Sequence, residues 1–132
     1  MRAGRWLLAR VRLRWSTFKQ AVAERPLTEW ELLVLTAMVD VGGPRAETVR
    51  ESVPYLVWTG GCGCGCPSFK VRDRRFPQQP HVLERFSTGR TPDGSVGLDF
   101  YLGPDGRPLC VDVETDGKGL RPAPDTLIVA QV

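Results

Sequence analysis

The chain has 132 residues, 42% hydrophobic and 25% charged, which suits one domain with its own core. Its formal net charge of +3 is unevenly spread: residues 1–25 hold seven basic side chains against one acidic, and the remainder eleven against fourteen. The longest apolar run near the start, Trp6-Leu7-Leu8-Ala9, is stopped by Arg10, which excludes a span of about 20 apolar residues and the apolar stretch of a secretory signal. The expected compartment is therefore the reducing cytoplasm, where the four cysteines serve as thiols or metal ligands rather than disulfides.

Residues 3–24 read as a helix, because Leu7, Val11, Trp15, Phe18 and Val22 fall on one apolar stripe. Arg25-Pro26 closes it. Thr28-Glu29-Trp30-Glu31 is a capping box, with Leu27 and Leu32 placed as a hydrophobic staple. The helix it opens runs to about Val39 and is apolar nearly all round from Leu32, so it is expected to be buried. Arg45–Ser52 suggests a third, short helix ended by Val53-Pro54. The composition then shifts. Tyr55–Thr59 and Ser68–Arg72 read as strands, Val82–Phe86 as a further one, and Thr126–Ala130 as a closing one.

The clearest element is a hairpin. Val96, Leu98, Phe100 and Leu102 alternate with polar or small residues, Gly103-Pro104-Asp105-Gly106 signals a turn, and Leu109, Val111 and Val113 resume the alternation. A four-residue loop pairs Leu102 with Arg107, Phe100 with Leu109, Leu98 with Val111 and Val96 with Val113. The expected fold is α+β, with two or three N-terminal helices packed on a small, mainly antiparallel sheet. Residues 1–25 form a basic amphipathic helical extension and 27–132 a single domain.

Three of the four cysteines lie within Cys62-Gly63-Cys64-Gly65-Cys66. Thiolates around one zinc ion, each about 2.3 Å from the metal, sit about 3.8 Å apart. Alternate residues of an extended strand are about 6.7 Å apart, so the three sulfurs reach one ion only if the segment coils, which the glycines permit. The fourth ligand is then Cys110 or the sole histidine, His81. The spacing is not that of common zinc ribbons or of Cys-X-X-Cys redox motifs, and a Cys62–Cys64 disulfide is strained. The preferred reading is a strand–turn–strand passage in which small thiols fill tight core positions.

The stretch from Gly61 to Phe69, with its Cys-Gly-Cys-Gly-Cys-Pro-Ser run, resembles a segment of small uncharacterised actinobacterial proteins. The resemblance covers residues 27–128. It implies a compact α+β fold and no assigned activity, and it implies that Cys110 is not a shared ligand, since those proteins have Leu-Glu nearby.

Asp99, Asp112 and Glu114 share the outer face of the hairpin, with Cys110 opposite Asp99. They suit a divalent-metal-dependent hydrolase or, more simply, a solvated polar face. Arg72, Arg74 and Arg75 with Phe69 and Phe76 have the composition of a small single-strand nucleic-acid patch or an exposed loop. The functional expectation is a non-enzymatic binding protein without a cofactor. Its basic helix contacts an anionic partner (nucleic acid, another protein or a membrane surface) through Arg5, Arg10, Arg12, Arg14 and Lys19. A structural zinc protein using the clustered cysteines is the first alternative and the carboxylate-face hydrolase the second.

Overall fold

The computed structural model describes residues 24–115 and 120–132. The helix expected over 3–24, with its basic stripe, lies outside the described residues except for Glu24. The described chain is α+β. Strand β1 (Arg25–Pro26) leads into helices α1 (Glu29–Val39) and α2 (Ala46–Ser52). Strands β2 (Leu56–Gly61), β3 (Phe69–Asp73), β4 (Glu84–Arg90), β5 (Val96–Leu102), β6 (Pro108–Thr115) and β7 (Ile128–Gln131) follow. All seven strands join one sheet in the order β1-β2-β3-β6-β5-β4-β7, with every described pairing antiparallel. The sheet is thus larger than expected. Arg25-Pro26 forms its first edge strand, paired with β2. No helix among the described residues is long and apolar enough to cross a membrane.

The capping box forms as read: Glu31 N donates to Thr28 Oγ1 and Thr28 N to Glu31 Oε1. Arg25 adds a bidentate pair to the same carboxylate at 2.9 and 3.0 Å, tying β1 to the start of α1. Val34, Leu35, Met38 and Val39 of α1 and Val49 of α2 are buried against one sheet face. There they meet Phe69, Val71, Phe86, Val96, Leu98, Phe100, Val111 and Val113. Contrary to the all-round burial expected of α1, Leu32 and Leu33 stand 42% and 46% exposed, because the helix lies on the surface of a single sheet and hides one side only. Helix α1 comes close enough to β4 that a Cβ on Gly89 would lie 2.9 Å from Met38 Sδ, and Ser87 Oγ donates to Met38 O nearby.

The β5–β6 hairpin keeps the expected facing but not the expected register. Observed partners are Val96↔Thr115, Leu98↔Val113, Phe100↔Val111, Tyr101↔Cys110 and Leu102↔Pro108. Two local features move the ladder. Gly103 N bonds to Arg107 O across a turn with Gly106 at φ +82°, so the loop closes one residue later. Pro108 lacks an N–H, and Leu109 enters as an extra residue in a bulge. The two offsets sum to an even shift, so inward residues still meet inward residues. Cys110 consequently faces Tyr101, and Asp99 faces Asp112.

That outer face is not a solvated one at β6. Cys110 and Asp112 are completely buried, and Tyr101, Cys110 and Leu83 form a second small cluster. Burial raises the Tyr101 pKa well above its ordinary value, with the carboxylates of Asp99 and Asp112 adding to the effect.

Candidate metal centre

Strand β2 ends at Gly61 and β3 begins at Phe69, so the cysteine run is a seven-residue connection between antiparallel neighbours. It turns over residues 63–65, with Gly65 at φ +89°, a conformation that L side chains rarely adopt. Pro67 and Ser68 are buried and fix the return into β3. The turn brings the sulfurs of Cys62, Cys64 and Cys66 within 4.8 Å of one another. Cys62 Sγ and Cys64 Sγ are 2.7 Å apart, and Cys64 N donates to Cys62 Sγ at 3.4 Å.

These thiols do not fill core positions, as the preferred sequence reading held. Cys64 is exposed, Cys62 and Cys66 are half-buried, and only Cys110 is in the interior. The loop is anchored through Ser68, the residue before β3, which meets Asp112 and Val113 of β6. Its hydroxyl donates to Asp112 Oδ1 at 3.1 Å and accepts from Val113 N at 2.8 Å. Cys66 Sγ lies 3.4 Å from the same oxygen. A fully buried carboxylate is thereby linked through one hydroxyl to a sulfur of the cluster, and outer hydrogen bonds of this kind are what orient side chains that hold a metal.

The sulfur triangle matches the chemistry of a soft cation. Zinc needs sulfur–sulfur separations near 3.8 Å, within the reach of this loop once the Cys62–Cys64 pair opens by about 1 Å. Thiolate donors select zinc, copper(I) or iron–sulfur centres over hard cations. Among the described residues this is the group of three or more potential ligands whose donor atoms come together, and neither Cys110 nor His81 belongs to it. Cys110 sits in mid-β6 opposite Lys70 and Tyr101, and His81 lies in the loop before β4.

The other candidates are placed as follows. Asp99, Asp112 and Glu114 do not form a ligand group: Asp99 pairs with Arg85 at 3.2 Å, and Asp112 accepts from Ser68. The basic-aromatic set is internally engaged. Arg72 holds Glu24 by two hydrogen bonds and Arg75 holds Asp73, while Phe69 is core. The guanidinium of Arg75 lies 3.8 Å from the ring centre of Tyr55. Arg5, Arg10, Arg12, Arg14 and Lys19 lie outside the described residues. Sequence reasoning did not single out Ser68. Its signal was the Pro-Ser pair that closes the cysteine run one residue before β3. No protein-family model matches the chain, and no curated protein or solved structure is significantly similar to it.

Proposed function

We propose that the protein is a metal-binding protein that holds one soft cation, zinc(II) foremost, through the thiolates of Cys62, Cys64 and Cys66. The observation that carries this reading is the convergence of three sulfurs within 4.8 Å at a turn bent by a positive-φ glycine. Three protein donors in an exposed loop leave a fourth zinc position for water or an external ligand, the pattern of sites that exchange or activate what they bind. A site of this kind carries or senses a metal more readily than it staples a fold, because the helix–sheet core is already closed without it.

The test is titration of the reduced, metal-free full chain with zinc(II) against a chromophoric chelator. One equivalent is expected to bind, with affinity falling as the pH is lowered because protons compete for the thiolates. Cys64→Ser is expected to weaken binding at least a hundredfold, and Cys110→Ser to leave the stoichiometry at one. Absence of a bound equivalent, or its loss in Cys110→Ser alone, refutes the reading.

A further inference from the structure

The sulfur cluster carries a second chemistry besides metal binding. Cys62 Sγ and Cys64 Sγ are 2.7 Å apart. Two thiolates on one zinc ion stand about 3.8 Å apart, and a disulfide bond is about 2.0 Å long. The pair thus sits between the two arrangements, and the loop reaches either by a movement of about 1 Å.

The three sulfurs are not equivalent. Cys64 lies within the turn over residues 63–65 and is exposed, so an oxidant in solvent meets it first. Cys62 is half-buried and accepts from Cys64 N at 3.4 Å, a contact that keeps its sulfur beside that of Cys64. An accessible thiol next to a resolving thiol is the arrangement of redox-responsive cysteines. Cys66 is held elsewhere: its sulfur lies 3.4 Å from Ser68 Oγ, and the buried Pro67 and Ser68 fix that end of the loop to the sheet. Cys110 is in the interior and outside the cluster.

We propose that Cys62 and Cys64 form a reversible disulfide when the loop meets a hydroperoxide, and that closing it releases the metal. The disulfide stands on the sulfur geometry, whereas the release rests on the metal-binding reading above. In the first step the Cys64 thiolate attacks one peroxide oxygen. An S–O bond forms, the O–O bond breaks, and hydroxide leaves and is protonated to water. In the second step Cys62 sulfur attacks the sulfenic acid on Cys64. The S–S bond forms, the S–O bond breaks, and the departing hydroxide takes the Cys62 proton to give a second water. The two thiols are oxidised and the hydrogen peroxide is reduced to two waters. When zinc(II) is bound, both sulfurs enter as thiolates, solvent supplies the two protons, and the ion leaves unreduced. The bridge removes two of the three donors, and Cys66 alone is no site for the cation. A ring closed over one intervening residue is tight, and tight disulfides are readily reduced, so a small dithiol returns both thiols and becomes a disulfide itself.

The reduced, metal-free full chain is treated with hydrogen peroxide. The remaining thiols are then alkylated in denaturant and located by mass spectrometry. The expected product has lost two hydrogens and is alkylated at Cys66 and Cys110, but not at Cys62 or Cys64. Dithiothreitol is expected to restore all four thiols, Cys64→Ser to abolish the bridge, and Cys110→Ser to keep it. The disulfide is overturned if the folded parent chain forms no Cys62–Cys64 bridge, or if bridging persists in Cys64→Ser. A second arm follows the metal. The zinc-loaded chain is expected to lose its whole equivalent to a chromophoric chelator as the bridge forms, and to take it back on reduction. A chain that forms the bridge and keeps its zinc overturns the release and leaves the metal site standing. A chain that never binds zinc overturns the metal reading and the release with it, while the bridge is still decided by the first arm.

Discussion

Two connections between antiparallel neighbours show how differently this chain closes a hairpin. The β5–β6 turn is secured by ordinary polar chemistry. Gly103 N bonds Arg107 O, Gly106 N bonds Gly103 O, and Asp105 takes both the backbone and the guanidinium of Arg107. That guanidinium lies 3.5 Å from the ring centre of Phe76, and Gln79 clasps the turn from the side. The β2–β3 connection is longer, and contacts between neighbouring residues of the loop run through sulfur, Cys62 to Cys64 and Cys66 to Ser68. A loop built to hold itself spends its side chains on its own backbone. The β2–β3 loop instead gathers three thiols at one turn, and thiols so arranged are donors of the kind that favour soft metal ions.

The sharpest way to break this comparison is at Ser68, where the sulfur loop meets the sheet. The Ser68→Ala variant leaves Asp112 Oδ1 and Val113 N in the interior without the hydroxyl they share. The expected loss of stability, read by chemical denaturation of the metal-free chain, is about 1–3 kcal/mol. The same variant frees Cys66 from its anchor, and zinc affinity is expected to fall about tenfold, the lower end of the effect of removing an outer hydrogen bond. A stability loss with unchanged zinc affinity would show that the Ser68–Asp112 link serves the sheet alone.

Much of the helix–sheet side was legible in the residues, and the reasons are local. The capping box at Thr28 and Glu31 is written in four consecutive residues, and the alternation from Val96 to Leu102 states which side faces inward. What misled was irregularity. The bulges at Thr59, Phe86 and Leu109 leave no mark in a hydrophobic pattern, and two of them set positions the sequence reading placed otherwise. The residues predict a strand over 82–86, whereas β4 runs Glu84–Arg90, because Ser87, Thr88 and Gly89 lack β-branched apolar character and owe their strand to pairing on both sides, with β5 and β7. At the candidate metal centre the need for a coil was legible from the spacing alone. The burial of Asp112 was not, since it depends on tertiary cover of a face that reads as polar.

A finer comparison sets two glycines of like geometry against each other. Gly65 at φ +89° and Gly106 at φ +82° both turn their loops through the left-handed region. A Cβ in that region costs about 1–2 kcal/mol. Gly106→Ala is expected to lower stability by about 1 kcal/mol and leave zinc affinity unchanged, because its turn is fastened on both sides and cannot relax. Gly65→Ala is expected to cost the metal-free chain less, as the exposed loop rearranges, and to transfer the penalty to zinc binding, which weakens several-fold. Denaturation midpoints and chelator competition on the two variants decide it. Equal effects on zinc would mean that the bend at Gly65 is not what gathers the sulfurs.

The smallest effect separates the acid sensitivity of the fold from that of the metal. Burial pushes the Glu31 carboxyl upward, but the hydrogen bonds from Arg25 and Thr28 outweigh it, and the pKa falls below its ordinary 4.5. A carboxyl held lower in the folded chain stabilises fully above that unfolded value, and the contribution disappears as the pH drops through the folded one. Asp73 behaves alike: burial raises it, Arg75 and Ser52 more than compensate, and it ends below 3.8. The fold is therefore expected to weaken only in the acid range beneath about 4.5, whereas protons compete with zinc for thiolate ligands at higher pH as well. Glu31→Gln keeps the side chain's reach toward Thr28 but removes the charge that Arg25 meets. It is expected to cost on the order of 1 kcal/mol or less at neutral pH and to flatten the acid limb of the metal-free stability profile. A neutral-to-acid profile identical to that of the parent chain would show that the Arg25–Glu31 pair does not couple β1 to α1 in the folding equilibrium. The edge of the sheet would then rest on its two backbone pairings and on the Arg25 guanidinium stacked 4.1 Å from the Trp58 ring centre.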